Sequence, residues 1–167
     1  MIRSLLLAAV LLAVPASAEP VRGDLAGEFL ALHNAARVDA KLPPLAWSDD
    51  LAKAADPWAR KLARDGELHH SEWKDRTGTG ENLWIGTAGY YSPEQMIGAF
   101  TGEKRDFRRG KFPDVSRTGN WQDVGHYTQI IWPSTTQVGC ALARARGNDV
   151  LVCRYSPAGN YLGSKVG

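Results

Sequence analysis

Apolar residues recur at helical spacing in three stretches of the chain. Leu25, Phe29, Leu32 and Ala36 predict a helix from Asp24 to about Ala40. Asp24 can cap it, and Leu42-Pro43-Pro44 stops it. Leu51, Ala55, Trp58 and Leu62 form a second stripe, from Ser48 to about Asp65, with Ser48 as cap and Gly66 as terminator. Pro57 lies inside that stripe and lacks a backbone donor. It predicts a kink, or two helices with Asp56 capping the second. The third helix opens on Ser92-Pro93-Glu94-Gln95, a capping box with proline at the first position. Met96, Phe100 and Phe107 share its apolar face, and Glu103 falls on that face too. A carboxylate there must find a partner or shift its pKa.

After Pro133 the pattern changes to strand. Thr136–Ala143 and Asp149–Tyr155 flank Arg146-Gly147-Asn148, which predicts a hairpin. A hairpin centred between Arg146 and Gly147 sets Cys140 opposite Cys153. A bridge between them would add about 3 kcal/mol in the chain-entropy model.

The first 18 residues read as a secretory signal. Arg3 is the positive end, Leu5 to Val14 is an apolar run of ten, and Ala16-Ser17-Ala18 is a cleavage site. A bilayer span needs about 20 apolar residues, so no stable membrane insertion is expected after cleavage. Removing 18 of 167 residues leaves 149, a single domain over 19–167 with room for a hydrophobic core. The expected location is secreted or periplasmic, and the two cysteines of an exported chain favour a disulfide. A net charge of +2 argues against a nucleic-acid partner.

Four histidines are available: His33, His69, His70 and His126. None forms the i, i+4 pair of a helical zinc motif. No Gly-x-Ser-x-Gly elbow occurs, and Gly78-Thr79-Gly80 lacks the lysine of a phosphate loop. His33, with Asn34 and Arg37, is expected to tie the first helix to its neighbours. Trp58 and Trp132 are assigned to the core. Trp73, Trp84 and Trp121 lie near the histidine segments and are candidates to rim a cleft. Lys104-Arg105 and Arg108-Arg109-Gly110-Lys111 read as a solvated helix end, with an acidic partner as the sharper alternative.

Four segments stand out as a set: His33–Arg37, His70-Ser71 followed by Gly80–Trp84, Gly125–Trp132, and Val152–Tyr161. In this order they resemble the CAP superfamily of cysteine-rich secretory, antigen 5 and pathogenesis-related proteins. The resemblance covers about Phe29 to Gly163, and GHYTQIIW and VCRYSPAGNY are its most specific parts. It implies an α+β fold, a three-layer α-β-α sandwich with a small antiparallel sheet between helices. It also implies a cleft lined by His70, Glu81, Glu103 and His126, with His70 and His126 able to bind zinc or another divalent cation. The function implied is an exported binding module for a lipid, protein or other extracellular ligand, with an enzyme as the runner-up. The alternatives are a metal-assisted hydrolase of peptide or ester bonds using the same four residues, and a purely structural exported domain. The Ala-x-Ala leader suggests a bacterial member. The chain departs from many eukaryotic members in having one candidate bridge, and activities tied to appended cysteine-rich domains do not carry over.

Overall fold

The computed structural model describes residues 23–167. The leader and the cleavage site after Ala18 lie outside the described residues.

Helix α1 spans Gly23–Asp39. It starts before Asp24, which is therefore inside the helix and not its cap. Strand β1, Ala46–Trp47, leads into α2, Asp49–Asp65. Ser48 caps α2 through its side chain, and Gly66 ends it in the left-handed conformation. Pro57 does not divide α2. Lys53, whose carbonyl loses its partner to the proline, is exposed, as is Pro57, so water can satisfy that carbonyl.

Strand β2, Gly80–Thr87, precedes α3, Pro93–Thr101, which carries the full capping box at Ser92 and Gln95. Here the expected helix is cut short. Residues Gly102–Asp106 form a 3-10 turn, so Glu103 lies beyond α3, and Phe107 pairs in a β-bridge with Ser116. Strand β3 is Gly110–Lys111, helix α4 is Gly125–Ile130, strands β4 and β5 are Gln137–Ala145 and Asn148–Ser156, and β6 is Lys165–Val166.

The main sheet has the order β1-β4-β5-β2, and β3 pairs with β6 apart from it. The sheet is mixed, since β1 runs parallel to β4. This corrects the all-antiparallel expectation. The β4–β5 hairpin has the expected register, with Cys140 opposite Cys153 and the two bonded. Its two turn residues, Arg146 and Gly147, both have positive φ (49° and 80°), which suits the twist of a two-residue hairpin.

Both faces of the sheet are covered, and the strand period of two sorts the side chains. Val150, Val152, Ala141, Ala143 and Leu83 pack with Ala55, Ala59, Leu62 and Ala63 of α2. Leu151, Cys153, Tyr155, Val138 and Cys140 pack on the other side with Phe29 of α1, Met96, Ile97 and Phe100 of α3, and Tyr127 and Ile130 of α4. This is the three-layer α-β-α sandwich.

Candidate functional site

The site forms at the start of β2, where strand alternation sends Glu81 and Asn82 to opposite faces of the sheet. Glu81 turns to the α2 side. Its Oε1 accepts from Nδ1 of His70 at 2.9 Å and from the Ser71 backbone N–H at 3.0 Å. Its Oε2 accepts from the Ser71 hydroxyl at 2.8 Å and faces Nη2 of Arg154 at 3.2 Å. The Glu81 side chain is fully buried. Burial pushes its pKa up, but the hydrogen bonds from His70 and Ser71 and the charge of Arg154 outweigh that, so it lies below the ordinary carboxylate value.

Asn82 turns to the other side. Its amide donates to the backbone carbonyl of His126 and to the Tyr155 hydroxyl, both at 3.1 Å. Glu103 completes that half. Its Oε2 accepts from the backbone N–H groups of His126 (2.9 Å) and Tyr127 (3.0 Å), in the first turn of α4. These N–H groups have no partner within the helix, and a carboxylate suits that end of the dipole. Oε1 of Glu103 accepts from Nδ1 of His126 at 2.6 Å. The His126 ring stacks on Phe100, with centroids 4.8 Å apart. Glu103 thus meets its partner demand through α4.

His70, Glu81 and His126 line one open cleft of about 520 Å³. The four expected residues form two His–Glu pairs and not a cage. Among the described residues, no three of them offer ligand atoms within 4.8 Å of one another. The group that does is His33 with Cys140 and Cys153. Those sulfurs are bonded to each other, so they offer no thiolate.

Trp73 and Trp121 line the cleft as expected, but Trp84 does not. Trp84 packs edge-on against Tyr91, near α3. The His69 ring lies against Trp58, away from the cleft lining. His33 is buried, donating through Nδ1 to the Phe29 carbonyl (2.7 Å) and accepting at Nε2 from the Tyr155 hydroxyl (2.8 Å). Burial holds its pKa down to about 4, against the pull of the Phe29 bond. Asn34 and Arg37 tie α1 to Leu45, Pro43, Ile130 and Trp132 through backbone groups.

Two contributors lie inside the singled-out segments but were given no role there. Arg154 reads as one alternate position of an apolar strand, yet it is a buried cation beneath Glu81. Gln129 is buried between two glycines. Its amide oxygen accepts from Gly159 N–H at 2.9 Å, and a Cβ on Gly80 would sit 1.9 Å from that same oxygen. The glycine opening β2 is therefore required by a close approach. The signal that could have found it is the Gly80-Glu81-Asn82 step itself.

A separate hollow of about 370 Å³ lies between α1, α2 and β4. Trp47, Ala52, Ala141 and Leu142 line it, with Asp49, Lys53 and Asp56 at its edge, and it holds no histidine.

The chain is 34% identical over 137 residues to pathogenesis-related protein 1A of Nicotiana tabacum, covering 81% of this chain and 77% of the relative. It is 34% identical over 140 residues to pathogenesis-related protein PR-1 of Medicago truncatula, covering 83% and 76%. Neither plant relative supports a bacterial source. Among solved structures, NaASP2 with Zn2+ matches with a TM-score of 0.72 at 26% identity, over 86% of this chain and 85% of that one. The model of the cysteine-rich secretory protein family, CAP, matches residues 30–155, and this chain belongs to that family.

Proposed function

We propose that this CAP-domain protein is an exported binding module that holds a divalent ion, zinc first, on Nε2 of His70 and His126. One observation carries the reading. Each imidazole gives its Nδ1–H to a glutamate, Glu81 or Glu103, while both rings reach the same cleft. A carboxylate behind a histidine fixes the tautomer and orients the ring, leaving Nε2 as the ligand atom. Imidazole nitrogens suit zinc, and two of them leave coordination positions open for water or a ligand. When bound, the ion would supply a Lewis-acidic centre at those positions. The similar NaASP2 was crystallised with Zn2+.

The same hydrogen bonds favour binding over hydrolysis. Glu81 accepts from His70, Ser71 and Arg154, and Glu103 from His126 and Tyr127. Carboxylates so engaged are poor bases. Export is supported by the Cys140–Cys153 bridge and by the leader. Among the described residues, no helix is long and apolar enough to cross a membrane.

A lipid ligand is the second reading, and the hollow between α1, α2 and β4 favours it, since apolar side chains line its floor. The test of the main reading is isothermal titration with zinc, with the His70→Ala/His126→Ala double variant alongside. We expect micromolar or tighter binding that the double variant loses. No binding to the folded protein overturns the reading.

A further inference from the structure

Six tryptophans are spread along the chain, and of these only Trp73 and Trp121 are exposed. Both line the cleft that holds His70 and His126. Each is the first residue of a short 3-10 turn, Trp73–Asp75 and Trp121–Val124, so neither ring sits on a long loop. The rings are also braced. Arg76 packs over Trp73 at 5.2 Å, and Phe112 meets Trp121 edge-on at 5.1 Å. The Trp121 ring lies against Gly125, next to His126, where a Cβ would come within 3.2 Å of it. Trp73 is 52% exposed and Trp121 40%. Two large rings held this far open on one cleft are not explained by core packing.

We infer that this cleft takes a neutral oligosaccharide whose sugar rings stack on Trp73 and Trp121. A pyranose has an apolar C–H face and a rim of hydroxyls. The faces suit indole, and the hydroxyls suit the amide of Gln122 and, between the rings, either the open positions of an ion on His70 and His126 or their Nε2 atoms where no ion is bound. A fatty chain would leave those groups unpaired. A polyanion finds no surplus of cations, because Glu81 lies beside Arg154 and the lining carries Arg76 alone as a permanent positive charge. The volume of about 520 Å³ is that of a small-molecule site with room for a short glycan. The inference rests on the reading of this cleft as the ligand site, but the stacking does not need the ion.

The experiment uses three neutral probes, cellohexaose, laminarihexaose and chitohexaose, followed by tryptophan fluorescence and by titration calorimetry. At least one should bind saturably with a dissociation constant of about 1 mM or tighter. W73A and W121A should each weaken it tenfold or more, and W58F should leave it unchanged. Zinc titrations on the same variants separate the two readings. Zinc binding kept by W73A and W121A with no glycan binding to the wild type overturns this inference and leaves the ion site standing. Glycan binding without zinc binding overturns the ion site and supports this inference. Glycan binding unaffected by W73A and W121A together overturns it, as does binding of a planar aromatic probe such as indole-3-acetate where all three hexaoses fail.

Discussion

Glu81 and Arg154 illustrate how much rests on one buried pair. The carboxylate is held by four donors, and the guanidinium spends its Nη1 on the Asp75 carbonyl at 3.0 Å and its Nη2 on Ser71 and Glu81. Nε of Arg154 has no hydrogen-bond partner. Removing the carboxylate leaves a buried cation uncompensated. Glu81→Ala should therefore lower stability by about 3–5 kcal/mol in urea denaturation. Glu103→Ala should cost less, because its partners are the end of a short helix and a part-exposed imidazole. Equal losses would show that Arg154 is not the difference. His33 makes a second prediction. Its pKa is about 4 in the fold against ~6.5 for a free imidazole. Between those values the unfolded chain takes up a proton that the folded protein does not. The contribution is thus complete above about pH 6.5 and lost progressively as pH falls toward 4, by about 3 kcal/mol in all. Urea midpoints across that range should fall, and the fall should flatten in His33→Gln, which is less stable but has no imidazole to charge.

At the scale of elements, the β4–β5 hairpin and the opening of β2 carry the most information. The Cys140–Cys153 bridge joins directly opposed residues 13 apart in sequence. Thermal and urea unfolding of the Cys140→Ser/Cys153→Ser double variant should show a loss of about 3 kcal/mol. A smaller loss would mean that the turn already restricts the unfolded chain. Gly80→Ala should be worse than its size suggests. The new methyl meets the Gln129 amide, which Gly159 and Thr135 hold in place. The expected cost is about 2 kcal/mol or more. Gln129→Ala/Gly80→Ala should recover part of it if that clash is the cause.

For the whole molecule, the cleft is an assembly of distant parts. His70 precedes β2, Glu103 follows α3, His126 lies in the first turn of α4, and Trp121 sits in the turn before it. Zinc takes neutral imidazole nitrogen, so affinity at this site should fall on acidification. Titrations between about pH 8 and about pH 5 should show the decline, and a flat profile would argue against two histidine ligands. Unfolding should abolish zinc binding, since neither His–Glu pair is local in sequence.

Local signals determined much of this protein from the sequence alone. Ser48 and Ser92 announced their helices, Gly66 ended one, and the hairpin register set Cys140 against Cys153. The caps depend on residues a few positions apart and the register on a two-residue turn, so neither waited on how the layers pack. The resemblance to CAP proteins named His70, Glu81, Glu103 and His126. What decided the rest was tertiary. Pro57 stays inside one helix, on its exposed side, where water can stand in for the donor that proline lacks. The helix predicted through Phe107 breaks at Gly102, and the turn that follows carries Glu103, which caps α4. Whether the histidines formed a cage or two oriented pairs was not legible, because the angle between segments is set by the sheet and the helices packed on both its faces. Arg154 and Trp84 were misjudged or missed for the same reason. A side chain's position in sequence does not reveal which layer it meets, and only the packed sandwich assigns it.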